Sequence, residues 1–148
     1  MRGRIPPASR FFTPAEETRL LTAIRAAEQR TSAEIRLHVE NSSGGDVMAR
    51  ARLQFQRLGM ERTAARNGVL FYLAVREHRF AVVGDEGVDR VVGAAFWNSL
   101  RDRLAESFQR GEFAAALAEA ITATGEELKR FFPATAGDRN ELPDSISE

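Results

Sequence analysis

The residues of this chain best suited to chemistry sit in one short run, Gly84-Asp85-Glu86-Gly87-Val88-Asp89. Three carboxylates, Asp85, Glu86 and Asp89, fall within five residues. Gly84 and Gly87 allow a sharp turn that exposes backbone carbonyls. Carboxylates with free carbonyls are what a hard cation such as Ca²⁺ or Mg²⁺ takes as ligands. Calcium takes about six to eight oxygens, so other groups must complete the shell. Glu34 and Asp46 are candidate donors. The spacing is not that of an EF-hand, which needs alternating acids before a glycine and a distant closing glutamate. The plainer reading is a turn in which Asp85 or Asp89 caps the next helix.

The other reactive residue types group less well. Arg50, Arg52, Arg57, Arg62 and Arg66 fall within 17 residues and are opposed only by Glu61. Such a face can meet phosphates, but no exposed aromatics interleave it, and a solvated helix face accounts for it. His38 falls on the polar side of an alternating segment and His78 in a predicted turn, so both are expected to face solvent. They lack metal-pair spacing, and HExxH is absent. Neither a GxSxG elbow nor a phosphate-binding P-loop occurs. Gly84 to Gly87 is not the dinucleotide fingerprint GxGxxG.

Several elements must position the acidic loop. Thr13-Pro14-Ala15-Glu16 reads as a helix start, with Thr13 as cap, Pro14 in the first turn and Glu16 closing a capping box. Leu20, Leu21, Ile24 and Ala27 carry that helix to about Arg30. Glu34 to Glu40 alternates, with Ile35, Leu37 and Val39 on one face, and predicts a strand. Asn41 to Gly45 is a loop, and Asp46 can cap a helix bearing Val47, Ala51, Phe55 and Leu58. Gly68 to Val75 is nearly all apolar, as in a strand covered on both faces. Arg76-Glu77-His78 then turns the chain into Phe80-Ala81-Val82-Val83, which leads into the acidic loop. Two amphipathic helices follow, one striped by Phe96, Leu100, Leu104 and Phe108. The other is striped by Phe113, Leu117, Ile121, Leu128 and Phe131. Pro133 ends it. The order αβαββαα predicts a layered α/β domain with a small sheet.

The 148 residues suit one domain. Residues 1–10 read as a disordered lead-in, 11–133 as the domain and 134–148 as an acidic tail. Composition is ordinary for a globular protein, 43% hydrophobic and 28% charged. Formal net charge is zero, which gives no global steering toward nucleic acid or an anionic membrane. The absence of cysteine excludes disulfides, thiol catalysis and cysteine-bound zinc. No run approaches the roughly 18 apolar residues of a membrane span. Residues 1–10 lack the apolar stretch of a secretory leader, so a cytoplasmic protein without membrane insertion is expected.

Five segments, in order, resemble the TPM-domain family. Thr31-Ser32-Ala33-Glu34-Ile35 is similar to the family's T-x-x-E-I entry to its first strand. Arg66-Asn67-Gly68-Val69-Leu70 is similar to its R-N-G-V-L entry to the second. Phe80 to Gly87 resembles the following strand and acidic loop, and Phe96-Trp97 the F-W of the next helix. Asn140-Glu141-Leu142-Pro143-Asp144 resembles the tail of short bacterial members. The resemblance implies a three-layer α/β/α sandwich with a small central sheet. It implies an accessory role with a divalent cation, Ca²⁺ or Mg²⁺, and a membrane-associated protein partner. Acid phosphatase activity ascribed to plant members gives the alternative, a metal-assisted phosphatase. Glu86, Gly87 and Asp89 carry over to the family's acidic loop, whereas Asp85 is a local substitute in a shorter loop. Many members also carry a signal peptide and a C-terminal membrane span. Neither is read here, which argues against a periplasmic or lumenal role. The expected metal set is therefore Asp85, Glu86, Asp89 and Glu34, with no catalytic residue assigned.

Overall fold

A computed structural model describes residues 11–134 and 146–147. The expected lead-in, 1–10, and most of the acidic tail lie outside the described residues. Helix α1, Pro14–Arg30, starts as its sequence dictates: Glu16 N donates to the Thr13 hydroxyl, and Thr13 N donates to the Glu16 carboxylate. This reciprocal box satisfies two amides that the helix leaves unpaired. Strand β1, Glu34–Glu40, leads to helix α2, Val47–Arg57, which Asp46 caps through Ala49 N. A single 3-10 turn, Met60–Arg62, precedes strand β2, Gly68–Ala74, and strand β3, Arg79–Gly84. The acidic run winds into a one-turn helix α3, Glu86–Asp89. Helices α4, Ala94–Gln109, and α5, Phe113–Lys129, follow.

The four-stranded sheet has the order β3-β2-β1-β4. Strands β1 and β2 run parallel, and β3 returns antiparallel beside β2. Strand β4, Ile146–Ser147, pairs parallel with Leu37 and His38. It falls in the segment read as an acidic tail, where no hydrophobic pattern announces a strand.

The strict side-chain alternation of a strand sorts the two faces. Ile35, Leu37, Val39, Val69, Phe71, Leu73 and Val82 join the large core with Leu20, Ile24, Leu100, Leu104, Leu117 and Ile121 from α1, α4 and α5. Leu70, Tyr72, Ala74 and Ala81 face the other way, toward Ala51 and Phe55 of α2. The result is the expected α/β/α layering. Within the thick layer α1 and α5 approach closely at Gly125, where a Cβ would stand 2.7 Å from the Cβ of Ala27. Trp97 is buried as expected, but Phe131 is exposed because α5 stops at Lys129 and the stripe does not reach it.

Register places the candidate residues. Glu34 is level with Gly68, and Val69 is level with Gly84, so Glu34 and the acidic loop share one end of the sheet. Glu40 is level with Ala74 at the opposite end.

Candidate functional site

The acidic loop is built as a knot around Arg66. Asp85 N donates to Gly68 O at 2.9 Å, extending the β2–β3 ladder by one pair. The Asp85 carboxylate then accepts from Glu86 N at 2.8 Å, capping α3. Arg66 forks onto the same carboxylate, Nε to Oδ2 at 2.8 Å and Nη2 to Oδ1 at 3.0 Å. Its Nη1 lies 2.9 Å from Glu86 Oε1. Asp85 is 7% exposed, and the bidentate fork supplies this buried carboxylate with the most directional side-chain partner available.

The backbone accommodates the arrangement at some cost. Arg66 has φ of 52°, in the left-handed region that a non-glycine residue occupies under strain. Its amide donates to Thr63 O, and its carbonyl accepts from Gly87 N at 2.9 Å. A Cβ on Gly87 would stand 2.2 Å from Ala65 O and 2.6 Å from Arg66 O, so only glycine lets the two turns meet.

Asp89 stands apart from this knot. It lines a cleft of about 140 Å³ with Met48, Arg52, Gly84 and Arg101. Partial burial first, then the charge of Asp85, push its carboxyl above the usual range, against the pull of Arg52 and Arg101. Glu34 is buried on β1 at the same end of the sheet. Among the described residues, no three aspartate, glutamate or histidine side chains gather closely enough to hold a metal ion. The structure thus brings Asp85 and Glu86 together on Arg66, and sets Asp89 and Glu34 apart from them as ligands. The Arg66 guanidinium stands where a cation shared by Asp85 and Glu86 would have to sit. Asp46, the other acid considered, caps α2.

A second polar cluster, at the far end of the sheet, escaped sequence reasoning. Glu40 accepts from Arg50 Nε at 2.8 Å and Nη2 at 2.9 Å, from Gln54 Nε2 at 2.6 Å and from Tyr72 Oη at 2.7 Å. His38 Nε2 lies 3.2 Å away. Burial pushes the Glu40 carboxyl up, but the bonds from Arg50, Tyr72 and His38 together outweigh it and bring it down to about 2. Burial and the ionised Glu40 raise the Tyr72 hydroxyl above its ordinary value. His38, expected to face solvent, is 3% exposed. Its ring stacks beside Tyr72, and its Nδ1 lies 2.8 Å from the Ser147 hydroxyl of β4. Burial lowers its basicity, which Glu40 partly restores. The signal available in sequence was Tyr72 itself, because a tyrosine within an apolar central strand must find a partner for its hydroxyl. His78 is exposed as expected, in the hairpin turn with φ of 50°.

The TPM domain, as a sequence family, matches residues 8–127. The BA42 protein from the psychrophilic bacterium Bizionia argentinensis has a solved structure that superposes with a TM-score of 0.87 at 40% identity. That match covers 93% of this chain and 95% of BA42. The chain therefore belongs to the TPM-domain family. Two more distant structures share the fold alone. The N-terminal domain of the cg2496 protein from Corynebacterium glutamicum has a TM-score of 0.62 at 14% identity, over 93% of this chain and 80% of its own. An N-terminal domain from P. gingivalis has a TM-score of 0.67 at 17% identity, over 90% of this chain and 84% of its own. A search of curated proteins found no match. No helix among the described residues is long and apolar enough to cross a membrane.

Proposed function

We propose that this TPM domain is a non-catalytic accessory module that binds a partner protein, of the membrane-associated kind that the family resemblance implies. The observation that carries this reading is the commitment of the acidic loop to structure. Both Asp85 oxygens accept from Arg66, one of them also caps α3, and Glu86 shares the same guanidinium. A general base or a metal ligand needs lone pairs free to act on something else. The His38 imidazole is likewise buried between Ser147 and Glu40 rather than presented to a substrate.

A second reading, a Ca²⁺ or Mg²⁺ site at the loop, draws on two observations. Burial and the nearby Asp85 carboxylate raise the Asp89 carboxyl above its ordinary range, which a divalent ion would relieve. Asn67, next to Arg66 in sequence, has a buried side-chain oxygen without a hydrogen-bond partner. Such a site requires Arg66 to leave Asp85.

One experiment tests both readings. Hydrolysis of p-nitrophenyl phosphate is followed with millimolar Ca²⁺ or Mg²⁺, for the native chain and for Asp85→Ala with Asp89→Ala, alongside the melting temperature. The accessory reading expects no turnover above background. Turnover that disappears in the double variant overturns it in favour of a metal-assisted phosphatase. An ion at 100 times its Kd stabilises by about 2.7 kcal/mol. No melting shift in the native chain ends the cation reading.

A further inference from the structure

Strand β3 is an edge strand, and register fixes which way its backbone groups point. The bond from Asp85 N to Gly68 O sets the phase of the antiparallel ladder. Residues two apart share a direction, so Val83, Ala81 and Arg79 turn their N–H and C=O groups toward β2. Phe80, Val82 and Gly84 turn theirs outward. Arg101 Nη2 donates to Val82 O at 3.3 Å, in agreement with that phase. Among the described residues, the remaining outward groups have no backbone partner.

Space follows the same edge. A cleft of about 480 Å³ lies at the start of β3, between Val47 of α2 and Ala105 and Phe108 of α4, with Arg79 and Phe80 along it. The smaller cleft, about 140 Å³, continues at Val82, Val83 and Gly84, between Arg52 of α2 and Arg101 of α4. The two together track the strand from end to end. Proteins usually blunt such an edge with proline, a bulge or inward-pointing charge. The run Arg79-Phe80-Ala81-Val82-Val83-Gly84 has no proline, and its single charge is at the first position. At the opposite edge of the sheet, the chain lays its own Ile146–Ser147 against β1.

Charge selects the occupant. Arg52, Arg79 and Arg101 line the two clefts, and none of them enters an ion pair among the described residues. Asp89 is the acid that opposes them there.

We infer that this edge binds an extended acidic segment of a partner protein, which adds a fifth strand beside β3. The inference rests on the accessory-module reading and names the partner's chemistry. Backbone bonds to Phe80, Gly84 and the Val82 amide supply affinity, and alternate side chains supply specificity. Successive side chains of the added strand point to opposite faces. Two adjacent acidic residues therefore reach Arg52 on the α2 side and Arg101 on the α4 side. Toward the other end the same segment meets Val47, Phe80 and Phe108, which suit apolar side chains. A second copy of this chain is a poorer occupant, because pairing β3 with itself brings the arginine-lined clefts together.

The test uses the isotope-labelled full chain. The probes are capped octapeptides of alternating valine and threonine with two adjacent glutamates near one end or the other. Binding is expected to shift the amides of Phe80, Val82 and Gly84 and slow their hydrogen exchange. Affinity should fall about tenfold or more when the glutamates become lysines, or in Arg52→Glu with Arg101→Glu. Both arginines reach solvent, so an unchanged spectrum elsewhere shows that the variant is folded. Methylating the peptide nitrogens on the edge that faces β3 should abolish binding, and methylating those on the far edge should not. Unchanged β3 amides at millimolar peptide, or equal effects of the two methylation patterns, would falsify strand addition. So would a dimer in which these amides are already protected. Phosphate-ester turnover ends the non-catalytic reading and leaves strand addition standing, whereas silent β3 amides end strand addition alone.

Discussion

Glu40 and Asp85 lie at opposite ends of the sheet, and each carries an arginine forked across its carboxylate. Their surroundings differ in kind. Glu40 collects donors from β1, α2 and β2, so it fastens a helix to the sheet. Asp85 collects one side chain from the preceding turn and one amide of its own helix, so it fastens a turn to a turn. Arg66 is 44% exposed and Arg50 32%, and both carboxylates are largely buried, so the two sites differ in the number of donors more than in depth. A carboxylate with many buried donors is costly to remove, because each donor loses its acceptor out of reach of water. A carboxylate whose side-chain partner is half in solvent costs less to remove, because water takes over that partner's bonds.

The comparison breaks first at Glu40. Glu40→Ala should cost about 3 kcal/mol of stability, as a buried ion pair does when one member is removed. Chemical denaturation measures it, and a loss below that of Asp85→Ala would reverse the ranking of the two clusters. Gly87→Ala should come next, at about 2 kcal/mol, the scale of overpacking a tight contact. The clash falls on the backbone oxygens of Ala65 and Arg66, where no flexible side chain can yield. An unchanged midpoint would mean that the two turns separate freely.

The smallest effect is a difference of sign with pH. Glu40 is held at about 2 against an ordinary 4.5, so its stabilisation is complete above about 4.5 and lost as pH falls toward 2. After allowance for solvent screening, this amounts to about 2 kcal/mol at most. His38 acts in the same direction below its ordinary 6.5, because the fold prefers the neutral ring. Asp89 acts oppositely, because its carboxyl is raised in the fold and its ionised form is disfavoured there. Asp89→Asn should raise the melting temperature at pH 7, and the gain should shrink as pH falls below the raised value and be gone below the ordinary 3.8. A variant less stable than the native chain at pH 7 would show that Arg52 and Arg101 depend on that charge.

Much of the fold is written in local pattern. The capping box of α1, the alternation of β1 and the apolar run of β2 each follow from contacts within a few residues. The capping reading of Asp85 was legible for the same reason, since an acid before a turn of helix meets its own backbone. Its partner Arg66, 19 residues earlier, stands in an arginine run and at the head of the R-N-G-V-L segment, and neither pattern points to Asp85. The burial of His38 was misread because alternation marks a polar face without showing what lies over it. Here Tyr72 and the two residues of β4 do so, and β4 has no periodicity to reveal it. Glu40 was read only as an end of a strand, because its four partners converge through tertiary pairing.

The seam between α1 and α5 has a consequence in time. Gly125 rests on Ala27, Arg30 pairs with Glu126 at 2.6 Å, and Ser32 N reaches Phe132 O at 2.8 Å, all across about a hundred positions of chain. Contacts so distant in sequence carry loop-closure entropy that must be met before they return any stability. Helix α1 is made well before α5, its most extensive neighbour, and until α5 arrives it has only the sheet to pack on. Its apolar stripe of Leu20, Ile24 and Ala27 therefore stays incompletely covered until the last helix is made. The step that completes its shelter is the docking of α5.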